Sequence, residues 1–243
     1  MKQRLAIVGL GRAGGAFSLA LERAGWTVTA TFGRADDPSG AGDDVDLVLI
    51  TTPDAAIAET ASRIEPTTAV VAHAAGSLGL DVVGMHPAHG AMHPLMSLPT
   101  PEVGAERLAG GWFAVAGDQL LIDVVESLGG RHFALADPDR PTYHATAAIA
   151  ANHLVALMAQ VERLAGSIGV PAEAFVDLAA GSIESVRELG AVDALTGPAR
   201  RGDADTIDRH LAALPESEQA LYRTMMEAAV ALAEQARQQE GTN

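Results

Sequence analysis

The 243-residue sequence contains no cysteine and only one lysine, Lys2. The lack of cysteine excludes disulfides and a thiolate nucleophile. With no second lysine, a Schiff base or a lysine acid deep in a cleft is disfavoured. Proton chemistry then falls to histidine, tyrosine, serine, asparagine or a carboxylate.

Long apolar runs are also missing, because no stretch approaches the roughly 20 residues that cross a membrane. A net charge of −15 repels nucleic acid and anionic membranes alike. We therefore expect neither a membrane nor a nucleic-acid partner. We also expect a cytoplasmic location, because the glycine-rich turn described next starts too early for a signal peptide.

A glycine-rich turn follows the apolar stretch 5–8 and precedes a helix-like run from Ala16. Strand, glycine turn and helix in this order are the context of a dinucleotide-binding fingerprint. Gly9 allows the tight turn, Gly11 lets the backbone approach a pyrophosphate, and Gly14 lets the helix pack closely. The helix N-terminus offers N–H groups to the phosphates. The predicted cofactor-binding residues of the turn are Gly9, Leu10, Gly11, Arg12, Ala13 and Gly14.

The second predicted strand, 26–32, indicates which dinucleotide is bound. It ends in Phe32-Gly33-Arg34, where an NAD site usually has an acid. Because an arginine there suits a 2′-phosphate, Arg34 predicts NADP, although a solvated surface arginine is the alternative. The next two strands should end in the same crevice, which adds Thr51, Thr52, Pro53 and Gly76 as cofactor residues and Ser77 beside the nicotinamide.

Three histidines, His86, His89 and His93, fall in the stretch 84–95. Their spacing raises the possibility of a zinc enzyme. Two prolines and a glycine argue against a helix that presents three ligands, and no carboxylate lies nearby. We expect a loop without metal in which one histidine, His93, is functional and borders the nicotinamide; surface histidines are the alternative.

The order of elements predicts an α/β protein. Strands and helices alternate up to about residue 137, which indicates a doubly wound parallel Rossmann sheet over 1–137 and an all-α domain over 138–243. The stretch 141–166 is apolar nearly all round. A helix of this kind must be buried between domains or against a second subunit. We therefore expect a homodimer through the helical domain.

Polar side chains of the second half supply the remaining candidates. His144 and Asn152 lie two turns apart on nearly one helix face and are predicted to orient the substrate or donate a proton. Alternatively, Asn152 binds neighbouring backbone and His144 caps a contact. Tyr143 is a candidate substrate-binding residue that could instead donate the proton. Arg201, beside Arg200, could hold a substrate carboxylate or pair with surface acids.

Taken together, these motifs resemble one branch of the 6-phosphogluconate dehydrogenase-like superfamily, in which a Rossmann-like half precedes a helical domain of unknown function. The resemblance implies NADP binding, an all-helical second domain and a helix-mediated dimer. Relatives include pyrroline-carboxylate reductases, β-hydroxyacid dehydrogenases and ketopantoate reductases. The last two groups use a lysine on the interdomain helix, where this chain has Asn152 as its nearest polar candidate. The resemblance rests on Gly9–Gly14, His73–Ser77, His93–Leu95, Tyr143–Ala145, Asn152-His153 and Gly197–Asp203.

These observations predict an NADP-dependent oxidoreductase. The expected reaction is reduction of a C=O or C=N bond in a small carboxylate-bearing metabolite, with hydride chemistry supplied by the cofactor. The alternative is an NADP-binding sensor or regulatory dimer without turnover.

Overall fold

Seven strands form a single sheet in the first half of the chain. The computed structural model describes residues 3–240 and has two compact units that divide between His153 and Leu154. The sheet order is β2-β1-β3-β4-β5-β6-β7. The strands are β1 (Arg4–Val8), β2 (Thr27–Phe32), β3 (Leu47–Ile50), β4 (Val70–His73), β5 (His89–Pro94), β6 (Trp112–Gly117) and β7 (Arg131–Ala134).

The direction of the strands differs in part from the prediction. Strands β1 to β4 pair in parallel, as expected, and β5, which was not predicted as a strand, also runs parallel to β4. Strands β5 and β6 pair antiparallel, and β7 then runs parallel to β6. The sheet is therefore mixed rather than fully parallel. An apolar run indicates that a strand is buried but not which way it runs, so the sequence alone could not reveal this reversal.

Alternate residues of the central strands feed two hydrophobic cores, one on each face of the sheet. Leu5 and Ile7 of β1 join the core that contains Phe17, whereas Ala6 and Val8 join the core that contains Ile57. The first core holds α1 (Arg12–Arg23), α3 (Pro101–Leu108) and α4 (Leu120–Ser127), and the second holds α2 (Ile57–Arg63). A strand that is covered on both faces reads as a continuous apolar run.

The helix predicted over 141–166 is interrupted. Helix α5 (Arg140–Ala148) passes into a π-helical turn at Ile149–His153, and α6 (Leu154–Ser167) follows. Thus α5 belongs to the first compact unit, although the domain boundary predicted from the sequence lies before it. Single π turns inside helices often occur at functional sites.

The second unit is entirely helical among its described residues, as predicted. Asp203 caps one of its helices as expected, since its carboxylate accepts a hydrogen bond from the N–H of Thr206 at 3.0 Å. After α6 the helices are α7 (Ala172–Leu189), α8 (Ala191–Ala194), α9 (Gly197–Arg201), α10 (Ala204–Ala213) and α11 (Glu216–Glu240).

Helix α7 leaves large apolar side chains uncovered. None of its residues is buried, and Leu178 and Leu189 remain 66% and 59% exposed. Val155 of α6 is 69% exposed. Large apolar side chains of these helices are therefore exposed among residues 3–240. Across residues 3–240, no helix combines the length and apolar character needed to cross a membrane.

Candidate cofactor groove and active site

A groove of about 1230 Å³ runs along the carboxyl ends of β1 to β3. It includes most of the residues predicted to bind the cofactor, whereas Gly14 lies behind the turn and Gly76 lies elsewhere in the same unit. The predicted residues that line the groove are Gly9, Leu10, Gly11, Arg12, Ala13, Arg34, Thr51, Thr52 and Pro53.

The three fingerprint glycines are needed for different reasons. Gly9 has φ +110°, and a Cβ there would lie 2.7 Å from the Thr52 nitrogen. A Cβ on Gly14 would collide with the Gly9 carbonyl oxygen, so helix α1 packs tightly on the turn. Gly11 has an ordinary extended φ of −78°, and a Cβ there would meet nothing within 4 Å.

The open space at Gly11 fits a dinucleotide. Neither backbone conformation nor packing within the chain requires glycine at this position. A Cβ at Gly11 would instead enter the space in which a pyrophosphate approaches the turn and the start of α1. The residues present therefore form a suitable cradle for the phosphates.

Three arginines line the same groove. Arg12 and Arg34 have no hydrogen-bond or ion-pair partner in the part of the chain that the structure describes. Arg63, near the end of α2, was not singled out from the sequence, because its neighbours carry no motif. It pairs with Asp37 at 3.4 Å, and both side chains are largely exposed, so this ion pair is weak.

A second cavity, of about 480 Å³, contains three of the four residues predicted to be catalytic: His93, His144 and Asn152. Tyr143, predicted to bind substrate, lines it as well. Ser97 lines both this cavity and the groove, so the two spaces adjoin within the first unit.

His93 and Tyr143 form the closest polar contact at this cavity. The Nδ1 atom of His93 lies 2.6 Å from the Tyr143 hydroxyl oxygen, and the two rings meet edge to face. If Nδ1 carries no hydrogen it accepts the phenolic O–H, and in the other tautomer Nδ1–H donates to the phenolic oxygen and frees that O–H for the cavity. In either tautomer, the pair can pass a proton to a molecule in the cavity.

Burial sets the protonation states of this pair. Desolvation lowers the pKa of His93 to about 4, assisted by the nearby His144 and Arg140. Desolvation raises the pKa of Tyr143 to about 12, and the charge of Arg140 opposes that rise. His93 is therefore neutral and Tyr143 protonated across the physiological pH range.

The loop that follows β4 reaches the two histidines through Gly76. A Cβ on Gly76 would lie 2.8 Å from the Nδ1 atom of His144 and 2.9 Å from the Nε2 atom of His93. The next residue, Ser77, donates its hydroxyl hydrogen to the carboxylate of Asp54 at 2.7 Å. Asp54 directly follows the groove residue Pro53 and was not identified from the sequence.

His73, at the end of β4, is fully buried and shapes this loop. Its Nδ1 atom accepts the Ala75 N–H at 3.2 Å, so its Nε2–H donates to the Gly79 carbonyl at 3.1 Å. Desolvation lowers the pKa of His73, which keeps the ring neutral and this pair of bonds intact.

The stretch of three histidines is not the loop that the sequence suggested. Residues His89–Pro94 form strand β5, and Pro94 is its last residue, beyond the part of β5 that pairs with β4. His86 and His89 are occupied with the backbone: their rings bond the Ala61 carbonyl at 3.0 Å and the His86 carbonyl at 2.7 Å. Within residues 3–240 no three histidine or acidic side chains form a group that could hold a metal ion.

Two arginines differ sharply in burial. Arg140, at the start of α5, is only 1% exposed and was not predicted to have a role. The charge of Arg140 acts on His93, His73 and Tyr143. Arg201, predicted to bind the substrate, is exposed on α9 of the second unit, and its role stays a prediction.

The groove, the mixed sheet and the helical second half define a Rossmann-like α/β fold, which solved structures share. The chain is similar to BF3122 from Bacteroides fragilis, a candidate NADP oxidoreductase, with a TM-score of 0.81, 20% identity and coverage of 95% of this chain and 98% of that one. It is also similar to pyrroline carboxylate reductase from Plasmodium falciparum with NADP bound, with a TM-score of 0.65, 12% identity and coverage of 95% and 98%. At these identities the likeness establishes the fold.

A family model matches the chain from strand β6 into helix α11. Residues 114–229 match the model of a domain of unknown function, DUF2520. TM1727 from Thermotoga maritima is similar over 96% of this chain and 99% of its own, with a TM-score of 0.76 and 22% identity. No curated protein matches the chain. The predicted resemblance, a Rossmann-like half followed by a helical domain of unknown function, is confirmed.

Proposed function

We propose that this protein is an NADP-dependent oxidoreductase that reduces a C=O or C=N bond of a small, carboxylate-bearing metabolite. The observation that carries the proposal is the His93–Tyr143 pair, 2.6 Å apart, in a cavity that adjoins the glycine-lined groove at Ser97. A proton donor next to a dinucleotide groove is the arrangement that carbonyl or imine reduction requires. Fold relatives include an NADP-bound pyrroline carboxylate reductase and a candidate NADP oxidoreductase.

The groove residues would hold the cofactor. Backbone N–H groups of the turn at Gly9–Ala13 would bind the pyrophosphate, and Thr51–Pro53 would border the opposite wall. Gly76 and Ser77, the latter oriented by Asp54, would lie beside the nicotinamide. When bound, the nicotinamide supplies the hydride for the reduction.

The arginines favour a cofactor with a 2′-phosphate. Arg12 and Arg34 line the groove without a hydrogen-bond or ion-pair partner among residues 3–240. Arg63 forms only a weak, exposed ion pair with Asp37. The nearby acid Asp36 accepts the N–H of Gly33 at 2.7 Å, so its carboxylate is directed to its own turn. These charges support NADP rather than NAD.

Tyr143 would donate the proton. Its phenol stays protonated at neutral pH. Neutral His93, in the tautomer whose Nδ1–H donates to the phenolic oxygen, would hold Tyr143 in place and leave its O–H free for the substrate. The phenolic proton would move to the substrate oxygen or nitrogen as the neighbouring carbon accepts the hydride, and the tyrosinate would then regain a proton from solvent. His144 and Asn152, on the same cavity wall, would orient the substrate.

Two measurements test this proposal. NADPH should bind purified protein, as shown by quenching or a shift of its fluorescence. A panel of 2-oxo acids and cyclic imines should contain a substrate whose reduction consumes NADPH, followed by the loss of absorbance of the reduced cofactor. Absence of NADPH binding would refute the proposal. Binding of NADPH without its oxidation by any panel member would favour the alternative function, an NADP-binding sensor or regulatory dimer without turnover.

We further propose a homodimer formed through the helical half. Exposed apolar side chains on one surface often mark a protein interface, and α7 carries Val176, Leu178, Ile183, Val186 and Leu189, all at least 46% exposed. Light scattering should give twice the chain mass of 25.0 kDa. Leu178→Glu should reduce that mass, whereas Glu173→Gln on the same helix should not. A monomeric wild-type protein would overturn the proposed dimer.

A further inference from the structure

Arg140 is among the largest fully buried side chains of the molecule. Its Nε–H donates to the carboxylate of Asp137 at 2.8 Å. Both terminal nitrogens, Nη1 and Nη2, are buried without a hydrogen-bond partner among the described residues. The cation is therefore balanced by one carboxylate, and that carboxylate is 43% exposed.

Such an arrangement is costly to stability. A buried ion needs hydrogen bonds on all its donors to offset desolvation, and an apolar side chain of similar size would often be more stable. Buried unpaired donors are rare in native proteins, and each one calls for an explanation. Helix α5 itself does not require an arginine at this position.

The partner of Arg140 fixes the loop that lies against the histidines. Asp137 accepts the N–H of Leu80 at 2.9 Å with its other oxygen. This bond and the two backbone bonds of His73 hold the loop 74–80 at both ends. Gly76, in the middle of that loop, lies next to His93 and His144. The Arg140–Asp137 pair therefore anchors one end of the loop that carries Gly76.

Arg140 also lies one helical turn before Tyr143 on α5. Its positive charge lowers the pKa of His93 and opposes the rise in the pKa of Tyr143. The other groups acting on His93 are His144 and His73, which lower its pKa, and Asp54, which raises it. Since the described residues contain no lysine, Arg140 is the basic side chain that acts on both members of the proton-donating pair.

We propose that Arg140 is a positioning residue for the reduction. Through Asp137 it fixes the loop that carries Gly76, and its buried charge stabilises the negative charge left when Tyr143 gives up its proton. A preorganised charge close to developing negative charge is an effective form of transition-state stabilisation. This role rests on the proposed function, but the arrangement of charges can be tested without it.

The test compares Arg140→Met with Asp137→Asn. Arg140→Met removes the charge and the hydrogen bond, so the pH midpoint of His93, followed by NMR and assigned with His93→Gln, should rise by about half a pH unit or more. Turnover should fall about 10- to 100-fold, while the Kd for NADPH stays within about twofold. Asp137→Asn keeps the cation, so turnover should fall without a rise in the His93 midpoint.

Three further variants complete the design. Arg140→Lys keeps the charge and should preserve the His93 midpoint and restore part of the turnover. Arg140→Gln is a second neutral variant if Arg140→Met does not fold. Arg187→Met, at an exposed arginine paired with Glu184, should change neither measurement.

An unchanged His93 midpoint in a folded neutral variant would overturn the role of Arg140. Absence of NADPH binding in the wild-type protein would instead overturn the proposed function, and the His93 titration would still decide the question about Arg140.

Discussion

The groove and the cavity lie in the same unit but are built from different parts of the chain. The turn that borders the groove depends on missing side chains: Gly9, Gly11 and Gly14 allow its shape by lacking a Cβ, and they fall within six consecutive residues. The cavity is mainly side chains, and its polar pair joins His93 on β5 to Tyr143 on α5. A local pattern therefore specifies the first site, whereas sheet topology assembles the second.

The largest expected effect concerns the cavity. Tyr143→Phe removes the proposed proton donor while keeping the ring, so turnover should fall about 10²- to 10⁴-fold. NADPH affinity should stay unchanged, because Tyr143 does not line the groove. Steady-state kinetics with fluorescence binding checks both. The matched control is Tyr222→Phe at the other tyrosine of the chain, which should leave turnover intact. Full activity of Tyr143→Phe would remove Tyr143 as the donor.

The groove can be tested by adding one methyl group at either of two glycines. Gly14→Ala places a carbon against the Gly9 carbonyl and should lower the free energy of unfolding by about 3 kcal/mol. Gly11→Ala meets open space and should cost less than about 1 kcal/mol. Urea denaturation measures both.

NADPH affinity and stability should change differently in these two variants. Gly11→Ala should weaken NADPH binding about tenfold or more although the protein remains stable, because its methyl group occupies the phosphate cradle. A stable Gly11→Ala protein with wild-type NADPH affinity would show that the pyrophosphate does not approach this residue.

The burial of His93 predicts a pH dependence of stability. Its pKa is about 4 in the folded protein against 6.5 ordinarily, so the unfolded chain binds more protons between these values. The free energy of unfolding should therefore fall as the pH drops from 6.5 towards 4, by on the order of 1–3 kcal/mol. Denaturation measured across this pH range should show that the free energy of unfolding falls less in His93→Gln than in the wild-type protein. Buried His73 accounts for part of the decrease that remains. Identical slopes for both proteins would contradict this assignment.

The smallest expected effect concerns cofactor choice. Arg34→Met should lower the preference for NADPH over NADH about tenfold, because a charge-assisted contact to the 2′-phosphate is lost. Arg63→Met should lower it by about threefold, since Arg63 must first leave Asp37. The ratio of the dissociation constants for NADH and NADPH measures this preference, and Arg187→Met is the control. An unchanged ratio in both variants would favour surface roles for these arginines.

The sequence alone was sufficient to predict features that depend on residues close together in the chain. The turn at Gly9–Gly14, the apolar strands β1, β3 and β4 and the cap at Asp203 were predictable, because each depends on residues that are close together in the sequence. The two-part α/β and helical organisation followed from where the alternation of strands and helices stops.

Only the tertiary structure revealed which distant residues meet. Strand β5 went unrecognised among prolines and histidines, so the pairing of His93 with Tyr143 could not be foreseen. Arg140 looked like an ordinary charged residue at a helix start, and its burial became visible only in the fold. Strand direction and burial depend on contacts between residues far apart in the chain, and a linear pattern carries no direct record of those contacts.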